Sequence, residues 1–134
     1  MQLRYALIAD FANVTQDGKL NVMGAFDRLF APRFPALHRQ LFLITSFESE
    51  PEDNRATRQM RVQLIDADGN VVTKTGGALQ LGEGKQIVNQ LHVFTDLKFP
   101  AAGSYEFGIF CDDVLLKSVP LDLIELPPAE TVSG

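Results

Sequence analysis

Apolar and polar residues alternate along several short runs of this chain, and turn-forming residues separate the runs. The first two runs, 3–14 and 19–30, flank Gln16-Asp17-Gly18-Lys19. Asp-Gly between two β-rich segments is the strongest short-range signal for a β-hairpin, because glycine accepts a positive φ without a Cβ clash. The chain is therefore predicted to open with a hairpin.

Similar punctuation divides the rest of the chain. Turn residues recur at 66–70, 100–103 and 112–113, and Pro32 and Pro35 limit the connector 31–38 to one helical turn at most. No window of useful length shows the apolar period of an amphipathic helix. The predicted strands are 3–14, 19–30, 40–48, 58–66, 71–75, 86–96, 104–111 and 114–125, with a weak strand at 78–81.

Many short strands with turns between them predict an all-β fold. The expected architecture is a two-sheet antiparallel β-sandwich, immunoglobulin-like in general form, with a jelly roll or a β-barrel as the alternative. A length of 134 residues suits one domain, which we place at residues 1–125. Residues 126–134, which contain Pro127-Pro128 and small polar residues, are expected to form a flexible C-terminal tail.

Strand alternation separates core positions from outward positions. The inward residues are predicted to be Met60, Val62 and Leu64; Ile87, Leu91, Val93, Leu97 and Phe99; and Tyr105, Phe107, Ile109 and Cys111. Four large apolar residues fall on the opposite parity: Phe42, Ile44, Phe94 and Phe110. Because a contiguous exposed apolar patch usually marks an interface, these four predict contact with a second copy or with a protein partner. The alternative is that the segment 28–38 covers them within one chain.

Charge and cysteine content exclude several classes of partner. The formal net charge is −5, which argues against nucleic acid and against an anionic membrane surface, because both attract basic proteins. Cys111 is the only cysteine, so no internal disulfide forms and a reducing compartment is indicated. Asp10 interrupts the first apolar run, and no run approaches the ~20 residues of a membrane span. We therefore expect a cytoplasmic protein.

Three weak motifs fail the requirements of their chemistry, and no cofactor is indicated. Gly84-Lys85 lacks the Ser or Thr and the following helix of a phosphate loop. The spacing of Asp66, Asp68 and Asn70 matches the start of a calcium loop, but its Gly and its final Glu are missing, which favours a turn. A Cys111–His92 nucleophile pair would need an open cleft, and alternation instead places His92 on the outer sheet face.

A polar site in or near the first hairpin is a second hypothesis. Its candidate residues are Asp10, Asp27 and His38. A carboxylate inside an apolar run needs hydrogen bonds or a cation, so Asp10 is expected to bond Arg4 or Arg28 and to pin the ends of strands. A ligand role for these residues is the alternative.

Most of the chain also resembles a known family. The run YALIADFANVTQDGKLNVMGAFDRLFAPRFPALH, followed by the ending FPAAGSYEFGIFCDD, is similar to an uncharacterised family of small bacterial β-sandwich-like proteins, a domain of unknown function. The resemblance covers most of residues 2–125. It implies no activity, cofactor or catalytic residue.

These observations favour a non-enzymatic binding or structural module that acts through self-association, for example as a dimer, or through a protein partner. Two alternatives stay open. One is a β-sandwich that binds a small ligand or carbohydrate, although the chain has no Trp and only two Tyr to stack on a sugar. The other is an enzyme of an unrecognised class.

Overall fold

The computed structural model describes residues 1–127 and shows two β-sheets packed face to face. The strands are β1 (Gln2–Val14), β2 (Leu20–Phe26), β3 (Arg28–Ala31), β4 (Ala36–Glu48), β5 (Thr57–Ile65), β6 (Val71–Gln80), β7 (Ile87–Phe99), β8 (Gly103–Cys111) and β9 (Val114–Glu125). A single 3-10 turn at Pro51–Asp53 follows β4. The predicted all-β sandwich is confirmed.

The four-stranded sheet has the order β2-β1-β4-β7, and the five-stranded sheet has the order β3-β9-β8-β5-β6. All pairs are antiparallel except β3 with β9, which is parallel. The first hairpin forms as predicted, since Val14 pairs with Leu20 and Gly18 has a φ of +84°. No helix among the described residues is long and apolar enough to cross a membrane.

The predicted strand at 19–30 is wrong because the chain changes sheets at Asp27. β2 ends at Phe26 beside β1, and Arg28–Ala31 then pairs with β9 in the other sheet. The Asp27 carbonyl accepts a hydrogen bond from the Asp122 N–H at 3.0 Å, which draws the chain onto β9. The segment 28–38 therefore does not cover the four-stranded sheet: it supplies an edge strand of one sheet and the start of β4 in the other.

Other strand bounds differ modestly from expectation. The two runs expected at 71–75 and 78–81 form one strand, because Gly76 and Gly77 continue the pairing with β5. A Cβ on Gly76 would lie 2.7 Å from the Met60 carbonyl oxygen, so glycine there permits close approach to β5. The predicted tail at 126–134 lies outside the described residues from residue 128 onward.

The core between the sheets confirms the alternation predicted for β5 and β8. Met60, Val62, Leu64, Tyr105, Phe107 and Ile109 are all buried there, and Cys111 packs against them half-buried. From β4, Leu41, Leu43 and Phe47 join the same core. The predicted core is correct for these two strands because each alternates without interruption along its inward positions.

The alternation predicted for β7 is wrong in its first half. Phe94 is buried in the core, with its ring centroid 5.2 Å from that of Phe107, whereas Val93 is 51% exposed and Ile87 is 49% exposed. Leu97 and Phe99, of the other parity, are also in the core. The change occurs across Asp96, whose φ of +52° interrupts the extended backbone. One parity cannot describe this strand.

Candidate functional site

The four residues predicted to form an interface are separated into three parts of the fold. Phe42 and Ile44 lie together on the outer face of the four-stranded sheet, in an apolar cluster separate from the main core. Phe94 lies inside the sandwich, and Phe110 lies on β8 with the Arg61 guanidinium 4.2 Å from its ring centroid. The single predicted patch is therefore wrong, but half of it marks a larger apolar surface.

This surface, which we call the outer face, follows from the register of the four strands. One row across the sheet joins Leu7, Ile44 and Leu91. Beside it, a second row joins Ala25, Ala9, Phe42 and Val93. The outer face is completed by Phe11 and Met23, which pair across β1 and β2. Neighbouring rows meet where the Phe11 and Phe42 rings pack edge to face at 5.3 Å.

The outer face has a buried centre and an exposed margin. Ile44 and Phe42 are 0% and 6% exposed because neighbouring side chains enclose them. Around them, Phe11 is 42% exposed and Met23 is 62% exposed. None of the nine side chains that form the outer face carries a charge or a hydrogen-bonding group. Among the described residues nothing covers this margin, so a contiguous apolar area faces solvent.

Polar groups limit the outer face at the end where β4 and β7 approach the 3-10 turn. The Arg4 guanidinium lies 5.6 Å from the centroid of the Tyr5 ring and donates a 3.1 Å hydrogen bond to the Ser46 hydroxyl. Asn89 pairs with Ser46 on β7. The outer face thus has a polar rim on one side of an apolar centre, the usual composition of a protein-binding surface.

The polar site expected at Asp10, Asp27 and His38 is not assembled. Within residues 1–127, no hydrogen bond or ion pair joins the three side chains. Asp10 and Asp27 are exposed, and His38 is half-buried with its Nε2 unbonded. The Asp10 carboxylate instead lies above Gly24, where a Cβ would come within 2.5 Å of Oδ2. Both arginines expected to bond Asp10 bond other residues, so that prediction is wrong.

The calcium-like run at 66–70 is a turn. Asp66 Oδ1 accepts hydrogen bonds from the Asp68 and Asn70 N–H groups at 3.0 and 2.8 Å. These bonds hold the pKa of Asp66 below its usual value, the Asn70 backbone bond most of all. Its acceptors are thus committed to its own loop. No group of three or more His, Cys, Asp or Glu residues in the described part of the chain is placed to hold a metal ion.

The Cys111–His92 pair does not form a nucleophilic site. Burial raises the pKa of the Cys111 thiol, the opposite of what a reactive cysteine needs. His92, expected on the outer sheet face, pairs with core residue Leu43 and lies 3.5 Å from the Thr45 hydroxyl. Burial lowers the pKa of His92, because it disfavours the charged form of the ring.

An open cavity of about 600 Å³ lies at the end of the sandwich near the 3-10 turn. It is lined by Gln2, Glu48, Ser49, Glu50, Pro51, Asn54, Gly84 and Lys85. Its polar groups are largely engaged with one another: Lys85 pairs with Glu48 at 2.7 Å, and the side-chain Oδ1 of Asn54 accepts a hydrogen bond from the Gly84 N–H at 2.9 Å. These bonds join the segments that line the cavity, so its polar groups serve to hold those segments in place.

Behind this cavity, a buried carboxylate connects three segments of the chain. The Asp53 side chain is fully buried and accepts hydrogen bonds from the Glu50 N–H and from Arg58. It also lies 2.9 Å from the Met1 amino group. Arg58 continues to Asp112 in the β8–β9 turn at 3.1 Å. This network is saturated by its own members, which is the pattern of a structural rather than a ligand-binding group.

The outer face could have been recognised only in part from the sequence. Leu7, Ala9 and Phe11 alternate along the first run, but that run is apolar on both parities, so its two sides look alike. Pairing in the sheet, which joins residues far apart in the chain, is what brings Met23 beside Phe11 and Val93 beside Phe42.

Taken together, the fold and the outer face define an all-β sandwich domain with an apolar sheet surface, whose described residues include no group of three or more side chains placed to hold a metal ion. The chain belongs to a family of unknown function, DUF6941, whose model matches residues 4–124. This confirms the family membership expected from the N-terminal run. No curated protein matches the chain.

Two solved structures of glycoside hydrolases show a weak likeness to the chain. One is a β-glucuronidase from glycoside hydrolase family 2, with 14% identity and a TM-score of 0.40 over 66% of this chain and 11% of that chain. Another is a glycosyl hydrolase family 2 member from Bacteroides cellulosilyticus DSM 14838, with 9% identity and a TM-score of 0.41 over 63% of this chain and 13% of that chain. The chain spans a small part of each enzyme, and neither likeness bears on function.

Proposed function

We propose that this domain is a non-enzymatic binding module whose working surface is the outer face of the four-stranded sheet. The single observation that carries the proposal is the set of nine apolar side chains, drawn from all four strands, that forms one contiguous surface. Its occupant is the apolar surface of another protein molecule. In this module the five-stranded sheet supplies the second layer that holds the outer face in shape.

The hydrophobic effect supports this proposal. Burying a Phe or Met side chain that would otherwise face water is worth about 1.5–3 kcal/mol. Phe11, Met23 and Val93 each keep more than two-fifths of their surface in solvent. They surround Phe42 and Ile44, which are already packed, so the margin can lose water without rearranging the centre. A partner surface gains binding energy there at little cost in conformational entropy.

The chemistry of the outer face favours binding over catalysis. The outer face presents no nucleophile, no acid–base pair and no charged group, whereas a catalytic site needs polar groups in defined positions. Elsewhere in the described residues, the thiol of Cys111 has a raised pKa and the Asp53 carboxylate is enclosed by its own partners. The proposal therefore assigns the protein an architectural or recognition role.

The test compares matched lysine substitutions on the two sheets. Met23→Lys places a charge on the outer face, and Phe30→Lys places the same charge on β3 of the other sheet; the two positions are 62% and 56% exposed. After cross-linking in the native cell, tagged wild type and tagged Phe30→Lys should each be recovered with the same partner protein attached. Tagged Met23→Lys should be recovered without that partner. Equal retention by all three folded proteins would contradict the proposal.

A further inference from the structure

The two sheets have four edge strands, and they differ sharply in how well their edges are protected. β2 and β7 are the edges of one sheet, and β3 and β6 are the edges of the other. An edge strand presents unpaired backbone N–H and C=O groups, which can pair with a strand of another chain. Natural proteins block such pairing with short strands, charges, proline or irregular backbone.

Three of the edges carry such protection. β3 has only four residues. β2 is interrupted by Gly24, whose φ is +69°. β6 contains Lys74 and the pair Gly76-Gly77. Each feature weakens or charges a strand that would otherwise accept a partner.

The β7 edge has none of these features over nine consecutive residues. β7 is 13 residues long, and its segment from Ile87 to Thr95 contains no Asp, Glu, Lys, Arg, Pro or Gly. The irregular backbone of the strand begins only at Asp96. Within residues 1–127, β4 is the single strand that pairs with β7, so the opposite backbone edge is open.

Two side chains of this segment also lack hydrogen-bond partners. Asn89 Oδ1 and Gln90 Oε1 are buried, and neither accepts a hydrogen bond from the described residues. Because successive side chains of a strand point to opposite faces, one unbonded acceptor lies on each side of the sheet. A buried acceptor without a donor is unfavourable, which favours a neighbour that supplies one.

We propose that a second copy of this chain adds to β7, antiparallel and strand to strand, about a two-fold axis near Leu91. The segment is suited to pairing with itself because it is uncharged, so two copies of an acidic protein meet there without local repulsion. In this register Gln90 of one protomer lies opposite His92 of its partner. The ring of His92 carries one N–H when neutral, which is the kind of donor that Gln90 Oε1 lacks.

This pairing would join two four-stranded sheets into one sheet of eight strands. A two-fold axis normal to the sheet keeps both outer faces on the same side, so the apolar surface of one protomer continues into that of its partner. The inference does not depend on what binds the outer face. The inference concerns the edge of the sheet. The experiment that tests it measures the mass of the assembly rather than the capture of another protein.

The mass of the purified protein in solution tests the inference. Val93→Lys places a charge on β7 opposite Asn89 of the partner subunit, at a position that is 51% exposed; because Val93 also belongs to the outer face, Met23→Lys serves as the outer-face control. Met23→Lys places the same charge on β2, the other edge of that sheet. By light scattering at high micromolar concentration, wild type and Met23→Lys should have twice the chain mass, and folded Val93→Lys should have the mass of one chain.

Every other result overturns the inference. A monomeric wild type would exclude strand pairing, and a dimeric Val93→Lys would place the contact elsewhere. If both variants are monomeric, the outer face rather than the edge holds the copies together. If Met23→Lys no longer captures a partner protein but keeps the mass of a dimer, then the outer face and the β7 edge act separately.

A cross-link tests the register independently. In a Cys111→Ser background, Leu91→Cys places two thiols opposite each other across the proposed axis, within the distance a disulfide spans. Mild oxidation should convert Leu91→Cys to a covalent dimer and leave Met23→Cys, on β2, as single chains. Equal cross-linking of the two variants would contradict pairing through β7.

Discussion

At the scale of single residues, Asp53 is a buried titratable group whose carboxylate is bound by three partners. Its burial raises the pKa of the carboxyl group, but hydrogen bonds from the Glu50 backbone N–H, the Met1 amino group and Arg58 outweigh that effect. The net result is a pKa below the ordinary value of 3.8. A carboxylate with a depressed pKa stabilises the fold above its unfolded-state pKa, and this contribution is lost as the pH falls through the folded-state value.

We therefore predict that Asp53→Asn destabilises the protein at neutral pH by about 1–3 kcal/mol, because Arg58 and the Met1 amino group would lose a buried charged acceptor. Wild type should lose stability as the pH falls from about 5 toward 2, and the variant should lose less over that window. Urea unfolding of both proteins across this range measures the difference. Asp68→Asn, an exposed turn residue, is the control and should follow wild type.

If Asp53→Asn unfolds with the same free energy as wild type at neutral pH, the network does not stabilise the fold in the way described. A parallel pH dependence of the two proteins would instead locate the acid-sensitive carboxylates elsewhere.

At the scale of elements, the two faces of β7 give a sharp prediction. Phe94 is in the core against Phe107, and its neighbour Val93 faces solvent for half of its surface. Phe94→Ala should lower the free energy of unfolding by about 3–5 kcal/mol, whereas Val93→Ala should cost less than about 1 kcal/mol in the separated protomer. Urea unfolding of each variant at low protein concentration measures the two losses with little contribution from association.

Equal losses from Phe94→Ala and Val93→Ala would show that the inward face of β7 has been assigned incorrectly. The comparison is local, because the two residues are adjacent in β7 and lie on opposite sides of the sheet.

The same strand shows what sequence patterning can and cannot predict. β5 and β8 alternate cleanly, so Met60, Val62 and Phe107 were identifiable as core from spacing alone. β7 carries apolar residues on both parities, and the positive φ at Asp96 shifts the inward side between Phe94 and Leu97. A local backbone conformation of this kind leaves no mark in hydrophobic periodicity.

The order of strands in the sheets could likewise not be predicted from local sequence signals. The hairpin turn at Asp17-Gly18 has a defined turn chemistry and was predictable, but the crossing at Asp27 depends on a hydrogen bond to Asp122, ninety-five residues away. For the same reason Phe42 and Ile44 were identified as outward-facing apolar residues, while their neighbours Phe11 and Met23 were not. The outer face is a product of pairing between strands rather than of any one strand.

At the scale of the whole molecule, the sandwich separates two roles. The five-stranded sheet encloses the core and ends in edges that are short, charged or interrupted by glycine. The four-stranded sheet carries the apolar outer face and the unprotected edge of β7. The two features that we propose to contact another protein therefore lie on the same sheet. Neither of them carries a charged side chain.

The proposed function requires that the outer face contacts another protein in the cell. A photo-activated cross-linking amino acid placed at Met23 tests it directly, with the same amino acid at Phe30 as the matched exposed position on the other sheet. After irradiation of living cells, we expect discrete cross-linked species from position 23 and none from position 30. No cross-link at position 23, or the same species from both positions, would contradict it.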